Sequence, residues 1–256
     1  MKGIYYSKPA TWLKRNIGKL ILTDFTGNII RKVLNNKIPY RNSIIQTNFP
    51  QVNGSTIASL YLGSYESGEA RFINKYLRTD LPVLELGSSI GVVSTQIGKK
   101  TNQKLFLLEV NTDLIPIIET NLSHNNITNY ELVNSAISYN QDAIYFVRGH
   151  KNTTGKVTSE PQPGAIKIEG FTLESVLKQF NVNGKYVLVC DIEGMELEII
   201  KNDEKSLNNC SQLIIELHET SLNGHRYSAD NLKKMLLKQG FELIDSHGNN
   251  HVFHRN

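Results

Sequence analysis

Four short apolar runs without polar alternation are the clearest hydrophobic pattern in the chain. They cover residues 83–86, 104–109, 186–190 and 212–217. Strands that read as continuous Val/Leu/Ile-rich runs are typical of a parallel sheet that is buried on both faces, whereas a half-exposed strand alternates apolar and polar residues. The pattern therefore predicts a parallel sheet packed between two layers of helices.

Further elements follow from helical periodicity and from turn residues. We expect helices over residues 66–77, 91–100, 113–124, 172–179 and 230–239. The last helix should end at Gly240, because glycine favours the position just after a helix. We expect additional strands over residues 131–137, 241–244 and 250–254, the last two pairing through a turn. Gly and Pro punctuate residues 139–170, which predicts a hairpin and an exposed loop there.

Alternating strands and helices predict an α/β fold. The expected architecture is a mostly parallel seven-stranded sheet with a C-terminal antiparallel hairpin strand and helices on both faces. Residues 1–60 show no clean alternation of strand and helix. We therefore expect residues 1–60 to be an N-terminal extension that caps a main domain of residues 61–256.

Composition fits an ordinary globular protein, with 39% hydrophobic and 20% charged residues among 256. The net charge of +4 is mild and the basic residues are mostly scattered, so nucleic-acid binding is not expected. Cys190 and Cys210 adjoin apolar runs, and two buried thiols indicate a reducing compartment, hence the cytoplasm. The chain has no apolar run of about 18 residues, which a membrane span needs, and its first residues lack the apolar core of a signal peptide.

The first candidate motif joins the first apolar strand to the following helix. It runs from Glu85 through Gly87, Ser88 and Ser89 to Gly91. Ligands of open α/β sheets bind beyond the carboxyl ends of the strands. The glycine spacing lacks the middle glycine of the dinucleotide fingerprint, so it favours a nucleoside cofactor without a pyrophosphate over NAD. The alternative is a tight turn that binds no ligand.

Glu109 is the second candidate. It ends the next strand, 22 positions after Gly87. An acidic residue about 20 positions beyond the glycine turn can accept hydrogen bonds from both ribose hydroxyls. The alternative is a surface acid at a strand end.

Carboxylates and a histidine follow the two later strands. Asp191 and Glu193 come directly after residues 186–190, and His218 follows residues 212–217. Carboxylates and histidines are the usual general bases, so we expect these three as catalytic residues. Three alternatives stay open: Glu193 opens a helix and favours its dipole, His218 is structural, or Asp191, Glu216 and His218 bind a metal. We expect a site without metal.

These residues together resemble the FkbM family of methyltransferases. The resemblance covers residues 61–220 and is most specific in the acidic segment Asp191-Ile192-Glu193-Gly194-Met195-Glu196. It also rests on residues 83–91, on Glu109 and on residues 214–218, together with Asn121 and Asn125. Upstream, residues Gly63 to Glu69 resemble the family's segment before the first strand. Phe171 to Leu177 resembles its Thr-Leu-Asp segment, with Glu174 in place of the usual Asp.

The resemblance implies a class I methyltransferase fold of the Rossmann-like type, with S-adenosylmethionine as the methyl donor. It implies O-methylation, often of a sugar in a bacterial surface glycan or of a natural product, so the partner is a small-molecule or glycan acceptor. It places Glu85, Gly87 and Glu109 at cofactor positions. It also places Ser135 and Ala136 near the adenine. The cofactor-binding residues expected from the motifs and the resemblance together are Glu85, Gly87, Ser88, Ser89, Gly91, Glu109, Ser135, Ala136, Tyr65 and Glu66.

The sequence departs from the family pattern at two places, and three other functions stay open. Glu85 stands where many members have Asp, and Ser88-Ser89 replaces the usual Ala-Asn pair. The chain could methylate a nitrogen or a nucleic acid, it could be a non-catalytic binding module, or it could be an NAD-dependent oxidoreductase. The glycine spacing argues against the last of these.

Overall fold

The computed structural model describes residues 21–139, 143–149, 155–158, 160–222 and 224–255. The chain forms two compact units, Met1–Tyr65 and Glu66–Asn256. In the part that is described, no helix combines the length and the apolar character needed to cross a membrane.

The first unit contains two helices and a hairpin. Its elements are α1 (Asp24–Val33), β1 (Lys37–Tyr40), β2 (Ser43–Gln46) and α2 (Gly54–Tyr61). Thr23 and Asn53 cap the two helices through side-chain oxygens that accept backbone N–H bonds. The helices approach closely because both contact points are glycines: a Cβ built on Gly27 would lie 1.7 Å from the carbonyl oxygen of Gly54.

The second unit is an α/β domain. Its helices are α3 (Ser67–Tyr76), α4 (Val92–Lys100), α5 (Ile115–His124), α6 (Leu173–Gln179), α7 (Glu196–Asn202), α8 (Glu204–Leu207) and α9 (Ala229–Lys238). Its strands are β3 (Val83–Leu86), β4 (Leu105–Glu109), β5 (Tyr130–Asn134), β6 (Ala136–Ile137), β7 (Ala143–Arg148), β8 (Gly155–Thr158), β9 (Ile166–Phe171), β10 (Tyr186–Cys190), β11 (Cys210–Glu216), β12 (Thr220–Leu222), β13 (His225–Tyr227), β14 (Glu242–His247) and β15 (Asn250–His254).

Seven strands form the central sheet, in the order β14-β15-β11-β10-β3-β4-β5. The five strands from β11 to β5 pair in parallel. The strand β15 lies antiparallel to both β11 and β14. The chain order reverses between β3 and β10, and such a reversal opens a crevice beyond the carboxyl ends of the strands.

Helices cover both faces of this sheet because each central strand sends alternate apolar side chains to opposite sides. On one side, Val83 and Val187 pack with residues of α3, α4 and α5. On the other side, Leu84 and Leu188 pack with residues of α6, α7 and α9. The expected α/β fold with a mostly parallel seven-stranded sheet is therefore confirmed.

One predicted strand is wrong in its extent. The expected strand over residues 131–137 divides at Ser135, where the backbone N–H still donates to the carbonyl of Glu109 at 3.2 Å. The chain then leaves the central sheet, and Ala136 pairs with Gly170 in a second, four-stranded sheet of order β6-β9-β7-β8. The expected hairpin is β7 with β8, but β9 joins it through long-range pairing that local pattern does not reveal.

Candidate functional site

The candidate site lies where the carboxyl ends of β3, β4, β10 and β11 meet. Glu85 lies opposite Leu107 in β4 and Val189 in β10, so the β3 turn is central in the sheet. The residues that follow β10 and β11 lie on the other side of the chain reversal. The topology thus brings motifs that span residues 85–218 of the sequence to one edge.

Gly87 permits a close contact between the ends of β3 and β10. Its φ is +88°, and an added Cβ would lie 2.0 Å from the backbone carbonyl oxygen of Asp191. The backbone N–H of Asp191 in turn donates to the carbonyl of Leu86 at 3.0 Å. This glycine therefore positions Asp191, a role that the sequence pattern had not revealed.

Gly91 and Asn121 hold the rest of the turn against α5. Gly91 has a φ of +77°, and a Cβ there would lie 3.1 Å from Cα of Ile118. The side-chain amide of Asn121 donates to the carbonyl of Ile90 at 2.8 Å, and that of Asn125 donates to the carbonyl of Asn121. The structure gives Gly91 a packing contact with α5, and any contact of Gly91 with a cofactor stays a prediction.

Glu109 is held by backbone donors from the turns that follow β3 and β4. The backbone N–H of Ser89 donates to Oε2 at 2.7 Å, and that of Asn111 donates to Oε1 at 2.8 Å. Burial raises the pKa of this carboxyl to about 7. Each carboxylate oxygen has a second lone pair, so both remain able to accept a ribose hydroxyl.

Buried polar atoms without partners mark the same edge. Among the described residues, the hydroxyl of Ser135 is buried with no hydrogen-bond partner, and Oε2 of Glu85 has none beyond weak contacts from the hydroxyls of Ser88 and Ser94. Such atoms are costly unless a ligand satisfies them. Burial also raises the pKa of Glu85 to about 8, and a nearby cation would restore its charge. These groups fit a nucleoside that carries an ammonium and a sulfonium.

Three other expected cofactor residues show their position in the fold but no contact that points to a cofactor. Ala136 is buried and opens β6 directly after Ser135. Glu66 adopts a left-handed conformation with φ of +42° just before α3. Tyr65 ends the first unit, and its carbonyl accepts a hydrogen bond from the hydroxyl of Tyr40 at 2.6 Å. Cofactor contacts of these residues stay predictions.

A histidine surrounded by carboxylates lies beyond β10 and β11. Nδ1 of His218 is 2.9 Å from Oε1 of Glu196. Its Nε2 faces three other carboxylate oxygens, at 3.7 Å from Glu193, 3.8 Å from Asp191 and 3.9 Å from Glu216. We call these five residues the acidic cluster.

The electrostatics of the acidic cluster favour a charged imidazole and a basic Asp191. The hydrogen bond to Glu196 raises the pKa of His218 to about 9. Burial raises the pKa of Asp191 to about 7, with a further contribution from Glu216. At neutral pH the imidazole therefore carries a proton, whereas Asp191 can either accept or release one.

The backbone conformation at Glu193 bears on the alternative that this residue opens a helix. Glu193 and Gly194 have φ values of +52° and +101°, and α7 begins only at Glu196. Glu193 therefore does not open the helix. Its side chain is 65% exposed and reaches His218 at the rim of the acidic cluster.

Two buried acids belong to this region and were not among the expected site residues. Glu196 is completely buried, and its Oε2 makes no hydrogen bond. Glu69 on α3 is 4% exposed, and burial raises its pKa well above the ordinary value, with Asp191 adding to the effect. The sequence could have indicated that Glu69 is buried, because it lies one helical turn before the core residues Phe72 and Ile73 and therefore on the same side of the helix.

The acidic cluster also contains a set of atoms that could hold a metal ion. One ligand atom each from Asp191, Glu196 and His218 lies within 4.8 Å of the others. A divalent cation accepts such imidazole and carboxylate ligands. The imidazolium of His218 is the alternative source of positive charge among these carboxylates.

A comparison of sequences confirms the resemblance to the FkbM family. A sequence model described as the methyltransferase FkbM domain matches residues 86–243, which is more than half of the chain. No curated protein matches the chain in sequence.

Many solved structures resemble the chain remotely. The ribosomal protein L11 methylase from Lactobacillus delbrueckii subsp. bulgaricus is 13% identical, with 76% of this chain and 80% of that chain covered at a TM-score of 0.45. The precorrin-6y C5,15-methyltransferase from Geobacter metallireducens GS-15 is 18% identical, with 75% and 89% covered at 0.44. The magnesium protoporphyrin IX methyltransferase from Synechocystis PCC 6803, with bound SAM, is 9% identical, with 75% and 77% covered at 0.42.

Proposed function

Because the chain belongs to the FkbM family of methyltransferases, we propose that it methylates a hydroxyl group of a sugar, in a bacterial surface glycan or a natural product. The fold is the class I, Rossmann-like methyltransferase fold, and the cofactor is S-adenosylmethionine. The proposal therefore concerns the acceptor, a sugar hydroxyl.

The observation that carries the proposal is the position of Asp191 beside His218. A sugar hydroxyl must lose its proton as it attacks the methyl carbon, so O-methylation needs a general base. A base works best when its pKa lies near the working pH, and the pKa of Asp191 is about 7. An amine nucleophile that is already deprotonated would not need such a group.

The chain's own residues divide the work of the reaction. When bound, the cofactor supplies a methyl group on a sulfonium sulfur that departs with the bonding electrons. Glu109 accepts the ribose hydroxyls, and Glu85 pairs with the cationic methionine end. Asp191 takes the proton of the acceptor hydroxyl on a carboxylate oxygen. His218 keeps its own proton and stabilises Asp191 as the carboxylate until the transfer.

Alignment of the acceptor is the second requirement. Methyl transfer is an in-line displacement, so much of the rate comes from holding the nucleophile against the methyl carbon. Glu193, exposed at the rim of the acidic cluster, can accept a hydrogen bond from another hydroxyl of the sugar.

Location and organisation complete the proposal. Cys190 and Cys210 are both free and buried, which suits a protein that works in the reducing cytoplasm. In this proposal residues 1–60 are an N-terminal extension of the methyltransferase domain. The boundary between the two compact units falls after Tyr65.

The proposal is tested by following the methyl group. The protein is incubated with S-adenosylmethionine carrying a deuterated methyl group, together with panels of sugars, glycans, amines and nucleic acids. Mass spectrometry and NMR then locate the label. Label on a sugar oxygen, lost in an Asp191→Asn variant, supports the proposal. Label on nitrogen or on nucleic acid, or cofactor binding without turnover on any acceptor, contradicts it.

A further inference from the structure

The helix α1 carries an apolar stripe that faces solvent. Phe25, Ile29 and Val33 are exposed by 76%, 49% and 75%. Residues four apart lie on one side of a helix, so the three side chains form a continuous stripe. The opposite side of α1 holds Gly27, which packs against α2.

Exposed apolar side chains are concentrated in the first unit. Of the ten large hydrophobic side chains that are exposed among the described residues, seven lie before residue 66. They are Ile21, Phe25, Ile29, Val33, Ile44, Tyr61 and Leu62. Single exposed hydrophobic residues are ordinary, whereas a contiguous set indicates a surface for a partner or a membrane.

Charge separates the two units sharply. Residues 1–65 contain nine Lys and Arg and one acidic residue, whereas residues 66–256 contain 19 basic and 23 acidic residues. The acidic residue of the first unit, Asp24, accepts a hydrogen bond from the backbone N–H of Ser55 at 2.7 Å, at the start of α2. Lys32 is exposed on α1 itself, next to the stripe. The partner of this surface should therefore be both apolar and negatively charged.

We propose that the first unit binds the surface of an anionic lipid bilayer. Phe25, Ile29 and Val33 would insert between the headgroups, and the exposed Lys32 beside them would contact lipid phosphates. Helices that lie in a membrane interface combine an apolar face with basic residues in this way. This binding is separate from methyl transfer and does not depend on the acceptor.

The same surface fits other partners less well. A nucleic acid would use the positive charge, but most protein–DNA contacts are made to phosphates and sugars and leave no role for the apolar stripe. A second copy of the chain would bring two strongly basic units together, and like charges repel. A bilayer satisfies both features at once.

The first test measures binding of the full-length protein to lipid vesicles by flotation. One set of vesicles contains equal parts of phosphatidylglycerol and phosphatidylcholine, and the other contains phosphatidylcholine alone. We expect binding to the anionic vesicles at low salt and weaker binding at high salt, since screening reduces the attraction. Absence of binding, or equal binding to both sets, overturns the proposal.

The second test removes the stripe while keeping the helix. The double variant Phe25→Ala/Val33→Ala retains helix propensity, and it should bind anionic vesicles about tenfold more weakly or worse. The matched control is Leu243→Ala/Ile244→Ala, two residues of β14 exposed by 40% and 41%. The control should bind as the wild type does. Circular dichroism and S-adenosylmethionine calorimetry check that both variants fold.

Two further results would show that the stripe does not bind the membrane. If the double variant binds vesicles as well as the wild type, the stripe is not the membrane contact. If the wild-type protein does not bind vesicles but forms dimers or binds nucleic acid through Phe25 and Val33, the stripe binds that partner instead. Either result overturns the proposal without affecting the assignment of the methyltransferase.

Discussion

Nδ1 of His218 lies 2.9 Å from Oε1 of Glu196, whose side chain is completely buried. This contact fixes the orientation of the imidazole, because the hydrogen bond at one ring nitrogen decides where the other points. Nε2 consequently faces Asp191 and the rim of the cleft. The buried glutamate thus controls both the charge and the direction of the histidine.

The first prediction concerns the base. Asp191→Asn should lower turnover by about 100-fold or more, since general-base catalysis contributes that much, and it should leave cofactor affinity largely unchanged. His218→Ala should also lower turnover, because the Asp191 carboxylate loses its cationic neighbour. Rates are compared under saturating cofactor, with Glu219→Gln as the control at an exposed acid. If Asp191→Asn and His218→Ala both keep wild-type rates, the base lies elsewhere.

The second prediction concerns the ribose. Glu109→Ala should weaken S-adenosylmethionine binding by about 10- to 100-fold, the value of losing hydrogen bonds to a charged acceptor. Calorimetry measures the affinity directly. Glu131→Ala, an exposed acid on the neighbouring strand β5, is the control. Unchanged affinity in Glu109→Ala would remove this residue from the cofactor site.

The third prediction is that the cofactor-free protein becomes less stable as pH rises from about 5 to about 8. Burial raises the pKa of Glu85 to about 8 and those of Glu109 and Asp191 to about 7, all above their ordinary values. The folded state therefore holds more protons than the unfolded state in this range. The contribution of these three carboxyl groups to the free energy of unfolding is full below their unfolded pKa values and is lost as the pH rises through their folded pKa values.

Urea unfolding at several pH values measures this dependence. Glu85→Gln has no proton to lose at that position, so its stability should fall less steeply with pH. S-adenosylmethionine should stabilise the wild type more at the higher pH, where its positive charges meet ionised carboxylates. A free energy of unfolding that stays level or rises across the range would contradict the prediction.

The sheet was predictable from sequence because its strands are buried on both faces. Continuous apolar runs such as Val83–Leu86 and Tyr186–Cys190 specify that environment locally, and the observed bounds agree with the expected ones. The sheet β6-β9-β7-β8 was not predictable, because pairing such as Ala136 with Gly170 joins residues far apart in the chain. Hairpins such as β12 with β13 were missed because strands of three residues carry little pattern.

The proximity of the candidate residues was predictable from their positions at or near the ends of buried strands. Glu109 ends β4, Asp191 and His218 follow β10 and β11, and Glu85 lies one residue before the end of β3, so the structure gathers them at one edge. Their roles in binding and catalysis stay predictions. Glu69 was missed because it lies on a helix, where an acid is normally solvated. The contact of Gly87 with Asp191 was missed because it joins two separate strand ends.

The fourth prediction is that methyl transfer does not need a metal ion. The imidazolium of His218 already supplies positive charge among the carboxylates of the acidic cluster, so a chelator should leave the rate unchanged. The rate is measured after chelation and again after magnesium or manganese is added back. If chelation abolishes activity and magnesium restores it, then Asp191, Glu196 and His218 are the ligands to examine, since their atoms lie within 4.8 Å of one another.

The fifth prediction isolates the contact between Gly87 and Asp191. Gly87→Ala places a Cβ 2.0 Å from the carbonyl oxygen of Asp191 and also imposes a left-handed conformation on alanine. Gly164→Ala imposes a similar conformation, with φ of +76°, but its Cβ meets no atom within 4 Å.

The comparison of these two variants separates backbone strain from the steric clash. Both should lose about 1 kcal/mol through the left-handed backbone, and Gly87→Ala should lose about 2 kcal/mol more through overpacking. Because relief of the clash must move Asp191, Gly87→Ala should also lower turnover, whereas Gly164→Ala should not. Equal unfolding free energies and equal rates in the two variants would show that the strand ends are not held together at this point.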